Sequence, residues 1–276
     1  MPFYCDYITV ADYRTTYQGS ATTATGQDAL ILQTIKAVAR EIEAGSRWYY
    51  PRIETRYFDG EGGRQIDFDT WDLMELTTFA NGDGTAISGT DYDLLPYYGP
   101  PYFAVRTKAT SGIVYLPDST GNYARALGIT GVGGFVKDYA SCWVAQVSQT
   151  GVISASATAL TSLTTGELQA GQLLKLGSTN DYAYVSAAAT TTATIIRGVN
   201  GSTGISHGAT DAIYVFNAGD ELTYLVKTAV QAFSRLKDNP MGEMVVIPGV
   251  GRFNTPSDVR GWISREIAQM GYAQPY

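Results

Sequence analysis

Histidine and cysteine are almost missing from this 276-residue chain, with one and two copies. Zinc needs at least three Cys, His or carboxylate ligands held close together, and no Cys/His cluster exists to supply them. The cysteines, Cys5 and Cys142, lie far apart, so two free thiols in a reducing compartment are expected, not a disulfide. Basic residues are also short: 19 Lys and Arg against 26 Asp and Glu give a net charge of −7. Proteins that grip DNA neutralise phosphates with Lys and Arg. The acidic excess therefore disfavours a repressor or nuclease and suits a surface past which DNA slides. No apolar run approaches the roughly 20 residues of a membrane helix. Met1 to Val10 has no basic region and no long apolar run, so no secretory leader and no membrane partner are expected.

Motifs that carry chemistry are equally sparse. Gly204-Ile205-Ser206-His207-Gly208 matches the spacing of a nucleophile elbow, but that motif needs a strand before it and a helix after it. Its triad also needs a histidine elsewhere, and His207 is the sole one. Gly131-Val132-Gly133-Gly134 lacks dinucleotide-binding spacing. Asp67, Asp69 and Asp72 with Glu61 read as a solvated face and lack EF-hand spacing. Asn200-Gly201-Ser202 is a sequon only on paper. No catalytic, cofactor-binding or metal site is assigned, and the chain is not expected to be an enzyme.

What the chain does have is a strong helical stripe. In residues 28–50, Ile31, Ile35, Val38, Ile42, Gly45 and Tyr49 recur at helical spacing. Thr25 and Asp28 resemble a capping box, and Pro51 ends the segment. Lys36, Arg40, Glu43 and Arg47 line another face. A short helix is predicted over 9–17, with Thr9 and Asp12 as its box. From Ile53 the period changes to two. Strands are predicted at 53–58, 65–68, 73–79, 91–95, 102–107, 113–116 and 126–135, with hairpin turns at 59–63 and 81–84. From Val144 to Phe216 charge thins out and short strands recur at 172–176, 182–186, 193–196 and 212–216, which reads as an inserted β module. Helices return after a cap at Asn217, with Leu222, Leu225, Ala229, Ala232 and Leu236 as a stripe, and after Thr255-Pro256-Ser257-Asp258. Gly271 suits a C-terminal cap. Twenty tyrosines supply apolar area with a polar handle, as protein–protein surfaces require.

The run SRWYYPRIETRYFDG, the NGDG turn, DYDLLP, ITGVGGF and RLKDNPMG, in that order, resemble the head–tail connector (adaptor) proteins of tailed bacteriophages. The resemblance spans most of the chain. It implies an α+β fold: a helical bundle domain with a small antiparallel β region and an inserted all-β module. The corresponding domains are 1–50 with 217–276 as helical core, 51–143 as β region and 144–216 as the insert. It further implies a structural virion protein at the neck, assembled in the host cytoplasm, without a cofactor. Its partners would be the portal protein, other neck or tail proteins, and copies of itself in a ring of about twelve that lets packaged DNA pass without specific binding. Related adaptors hold the portal with C-terminal segments, which points to Tyr272, Gln274, Pro275 and Tyr276. Lys36, Arg40, Arg47 and Trp48 are candidates for the contact between subunits. The alternative from another class is a phage or surface adhesin whose β module binds carbohydrate or a receptor. An acid-pair glycosidase is a third, but no convincing pair stands out.

Overall fold

The computed structural model describes residues 5–17, 26–44, 48–60, 63–69, 71–136, 138–139, 141–148, 151–161, 168–237, 244–247 and 250–271. Its elements begin with α1 (Val10–Tyr17), α2 (Asp28–Glu43), β1 (Arg52–Phe58), β2 (Gln65–Asp67), β3 (Leu73–Ala80), β4 (Tyr92–Leu95), β5 (Ala104–Thr107) and β6 (Leu127–Gly133). There follow β7 (Trp143–Ser148), β8 (Ala159–Leu160), β9 (Leu173–Leu176), β10 (Asp181–Ala188), β11 (Ala193–Arg197) and β12 (Ala212–Phe216). The chain ends with α3 (Asp220–Lys237), β13 (Val245–Ile247), β14 (Gly251–Phe253) and α4 (Pro256–Gly271).

The expected helical bundle domain is not what forms. Among the described residues the chain is mostly β, with fourteen strands in four antiparallel sheets and four helices. The helical stripes are real, but the two-residue alternation claims more of the chain. The helices also cluster with a six-stranded sheet instead of standing as a domain of their own. Contacts divide the chain into two compact units: Met1–Gly45, Cys142–Val199 and Thr203–Tyr276 form one, and Ser46–Ser141 with Asn200–Ser202 the other.

In the first unit the sheet order is β7-β12-β9-β10-β11-β8. Register sets Leu174 beside Ala183 and Val215, and Val185 beside Ile195. These side chains, with Leu176 and Ile213, share one face and build an aliphatic core closed by Ile153, Leu160 and Leu168. The other face is aromatic: Lys175 is aligned with Tyr182 and Tyr214, and Trp143 stacks on Tyr182 at 5.5 Å. Helices α2, α3 and α4 pack on one another, burying Ile31, Ile35, Val38 and Ile42 of α2 and Leu222, Leu225, Ala229 and Ala232 of α3. No helix among the described residues is long and apolar enough to cross a membrane.

Helix ends follow side-chain chemistry closely. The Thr9 N–H donates to Asp12 Oδ2 at 2.8 Å while the Asp12 N–H donates to Thr9 Oγ1, a complete capping box. Thr255 and Asp258 repeat it ahead of α4, with Pro256 at the first position. Two boundaries differ from expectation. Helix α2 ends at Glu43, seven residues short of Tyr50, and Gly45, a poor helix residue, follows directly after the cap. Helix α3 starts at Asp220, and Asn217 instead accepts from the Gly219 N–H at 3.0 Å. The Thr25 half of the third expected box lies outside the described residues; Asp28 pairs with Arg14 of α1.

The second unit holds two three-stranded sheets, β1-β6-β3 and β2-β5-β4, over one aromatic-rich core. Phe58, Phe68 and Trp71 form one ring cluster, and Phe79 meets Tyr92 and Tyr115 edge-on or tilted. Gly133 makes room for this packing, since a Cβ there would come within 2.2 Å of the Trp71 indole nitrogen. The expected strand at 113–116 is not one. Its backbone bonds go to a side chain: buried Asn81 donates to the Val114 carbonyl at 2.9 Å and accepts from the Leu116 N–H at 2.7 Å. Residues 200–202 join this unit through the Ile53 N–H, which donates to the Asn200 carbonyl at 2.8 Å. Gly201 permits that approach, having φ +80 and lying against the Ile53 carbonyl.

Candidate interaction site

The clearest exposed feature is the turn 96–103 between β4 and β5. Its sequence, PYYGPPYF, has no charge. Tyr97 is 67% exposed and Tyr98 76%, and Phe103 is also exposed. Prolines at 96, 100 and 101 restrict the backbone on both sides. Arg106 of β5 holds Tyr97 in place: its guanidinium carbon is 5.9 Å from the ring centroid, and its Nη2 donates to the phenol oxygen. Arg106 is aligned with Asp93 of β4, and Lys108 reaches Asp93 at 3.6 Å. The turn thus offers wide apolar faces on a restricted backbone, with Tyr97 held by Arg106, the composition of an interface core. In the sequence, its prolines exclude a central strand. Tyrosines between prolines, at the end of an amphipathic edge strand, were the usable signal.

The residues expected to contact other subunits are not gathered at this turn. Lys36 is half-buried on α2, with Nζ 5.7 Å from the Tyr184 ring centroid. Arg40 is exposed one turn along the same helix. Trp48 belongs to the second unit, where Arg52 stacks over it at 4.0 Å and Arg56 lies over both Trp48 and Trp71. Arg56 Nε donates to Glu54 at 2.6 Å. Arg47, Tyr272, Gln274, Pro275 and Tyr276 lie outside the described residues.

A buried polar cluster in the first unit was not foreseen. Asp181, at the start of β10, receives three donors on Oδ2: Arg197, the Ile205 N–H at 3.0 Å, and the His207 ring through Nε2 at 2.9 Å. Asp211 stands 3.4 Å from His207 Nδ1. Arg197 also donates to the carbonyls of Ser154 and Ile205. The network ties the irregular segments around Ile153 and His207, which form an isolated bridge, to the sheet. Both ring nitrogens face carboxylates and Ser206 is exposed. Neither the strand nor the helix of a nucleophile elbow flanks 204–208, so the arrangement is a clamp, not a nucleophile with its base.

Asp6 is a second buried acid. Burial pushes its carboxyl up to about 6, partly offset by the Tyr184 hydroxyl, which donates to Oδ2 at 2.8 Å, and by Lys36 and Arg40. Burial likewise pushes the Cys5 thiol up, assisted by the negative charges of Asp6 and Glu43. Two clefts in this unit measure about 180 Å³ and 240 Å³, below the roughly 300–1,000 Å³ of small-molecule sites. Asp67 accepts from Gln65 at 2.7 Å, and among the described residues no three His, Cys, Asp or Glu side chains group as metal ligands. No family model, curated protein or solved structure matches this chain.

Proposed function

We propose that this chain is a structural subunit of a phage head–tail connector, with no catalytic role. Copies close into a ring of about twelve between the portal and the tail, in the virion neck, after assembly in the host cytoplasm. The ring lines the DNA channel, and its acidic charge lets packaged DNA pass without binding. The observation that carries this reading is the uncharged, pinned aromatic turn Pro96–Phe103, a protein-contact surface on a chain whose motif order resembles the connector family. Its partners are other copies of itself, the portal protein and further neck or tail proteins. The tail residues Tyr272, Gln274, Pro275 and Tyr276 dock on the portal.

Native mass spectrometry with negative-stain imaging tests the reading. A closed ring is the expected result. A second reading is favoured by one detail: the ring of Tyr97, exposed and tied to Arg106 through its phenol oxygen, also suits stacking on a sugar ring. A monomer or trimer that binds glycans would replace the connector with an adhesin. Submicromolar, salt-dependent binding to duplex DNA would overturn the channel-wall assignment.

A further inference from the structure

Each of the two sheets of the second unit has an open edge on a regular strand of at least four residues, β1 in one and β4 in the other. In β1 the Ile53 N–H points away from β6, toward Asn200. Antiparallel strands alternate the direction of their backbone groups, so Thr55 and Tyr57 present N–H and C=O on that same open side. The β1 ladder runs seven residues without a bulge. The far edge of the same sheet is treated differently. β3 carries two bulges, and Tyr102 and Ile87 bond to its outer side at Leu73 and Phe79. Bulges and covering segments are how proteins block unwanted strand pairing. β1 has neither beyond Ile53, and its free stretch holds no Lys or Pro. In the second sheet, the carbonyls of Asp91 and Leu95 accept from Lys108 and Phe103. Tyr92 and Leu94 therefore face outward from β4.

We propose that these two edges pair with each other between copies: β1 of one subunit adds antiparallel to β4 of the next. This rests on the ring reading. The register follows from the free groups. Setting Thr55 opposite Leu94 and Tyr57 opposite Tyr92 uses all of them and places Arg56 directly opposite Asp93. Opposite charges at such positions stabilise a strand pair. Pairing β1 with its own copy across a two-fold axis would use Thr55 and Tyr57 only with Arg56 facing Arg56, which is unfavourable. Because β1 and β4 are different strands, the contact can repeat head-to-tail from copy to copy, the kind that closes into rings. Tyr57, 55% exposed in the single chain, is covered beside the neighbour's Tyr92.

The test uses the full chain and reads assembly by native mass spectrometry across a concentration series. Thr55→Pro removes an N–H that no strand of its own subunit accepts. It is expected to weaken assembly by at least about tenfold with an unchanged circular dichroism spectrum. Arg56→Asp and Asp93→Arg are each expected to block assembly. An equimolar mixture of the two single variants, and the double variant, should both recover it, since every 56–93 contact is then again of opposite sign. The charge pair decides the matter if Thr55→Pro fails to fold. If the wild type forms rings and the single variants do so equally well, the β1–β4 pairing is wrong and the ring reading stands. If the wild type stays monomeric throughout, both fall.

Discussion

The two units solve the burial of a β-sheet in opposite ways. The six-stranded sheet of the first has an aliphatic core of Leu, Ile, Val and Ala, and clamps its irregular segments with a buried Asp181–Arg197 ion pair that also holds the His207 ring. The second unit mixes the rings of Phe68, Trp71, Phe79 and Tyr115 into its aliphatic core and satisfies stray backbone with a neutral amide, Asn81. Buried charge is costly to leave half-paired, whereas a neutral hydrogen-bonding group is cheaper to lose. The difference locates the fragile point in the first unit. It leaves the second with the capacity to expose aromatic area and an open strand edge.

Breaking the clamp should have the largest effect. Arg197→Ala leaves Asp181 buried without its cation. The expected cost is about 3–5 kcal/mol, the range for removing one partner of a buried pair. Arg56→Ala, in the second unit, removes a partly exposed partner of Glu54 and should cost no more than about 1 kcal/mol. Hydrogen exchange read peptide by peptide checks both. After Arg197→Ala, β9 to β12 should lose protection while β1 to β6 keep theirs. Uniform loss would mean the units are not energetically distinct.

Asn81→Ala comes next. It strips partners from the Val114 carbonyl and the Leu116 and Gly82 N–H groups. Surrounding water can reach some of these, so about 2 kcal/mol is expected. Urea unfolding followed by near-ultraviolet dichroism of the second unit's rings measures it. A loss near that of Arg197→Ala would erase the contrast between charged and neutral fastening.

Asp6 gives a pH-dependent version of the same contrast. Its carboxyl is raised from 3.8 to about 6 in the folded chain. The folded state therefore binds this proton more tightly than the unfolded state. Stability from this group is intact below about pH 4, declines as pH rises toward 6, and is level above. Asp6→Asn should then be stabilising by about 3 kcal/mol at pH 8 and close to neutral at pH 4. Thermal melts of both proteins at the two pH values check it; equal differences at both would remove the buried-acid account.

Local chemistry was legible in the sequence and long-range chemistry was not. The Thr9–Asp12 and Thr255–Asp258 boxes are three-residue signals and formed as expected. Most predicted strands formed because period two is a local pattern. The strand at 113–116 failed because its partner is a side chain over thirty residues away. The fold class failed because strong stripes on α2 and α3 show that a face is buried without showing what buries it. Asp181 and His207 are 26 residues apart and meet only through sheet topology, so no spacing announced the clamp. The turn 96–103 was visible as prolines and rings, but exposure is a property of the folded chain.

The smallest expected stability effect belongs to that turn, and it is the most informative about function. Tyr97 and Tyr98 bury little in the single chain. Replacing both with Ala removes area that water already covers, plus the contact of Tyr97 with Arg106. Surface changes of this kind shift stability by about 0.5 kcal/mol or less. If the turn is an interface core, the same change should cut ring yield severely, because exposed rings that bury on association dominate binding energy. Denaturant melts and native mass spectra on one preparation read both quantities. A stability loss above about 1 kcal/mol would make the turn part of the second unit's core. Unchanged stability with unchanged ring yield would leave the turn no role in assembly and move attention to the strand edges alone.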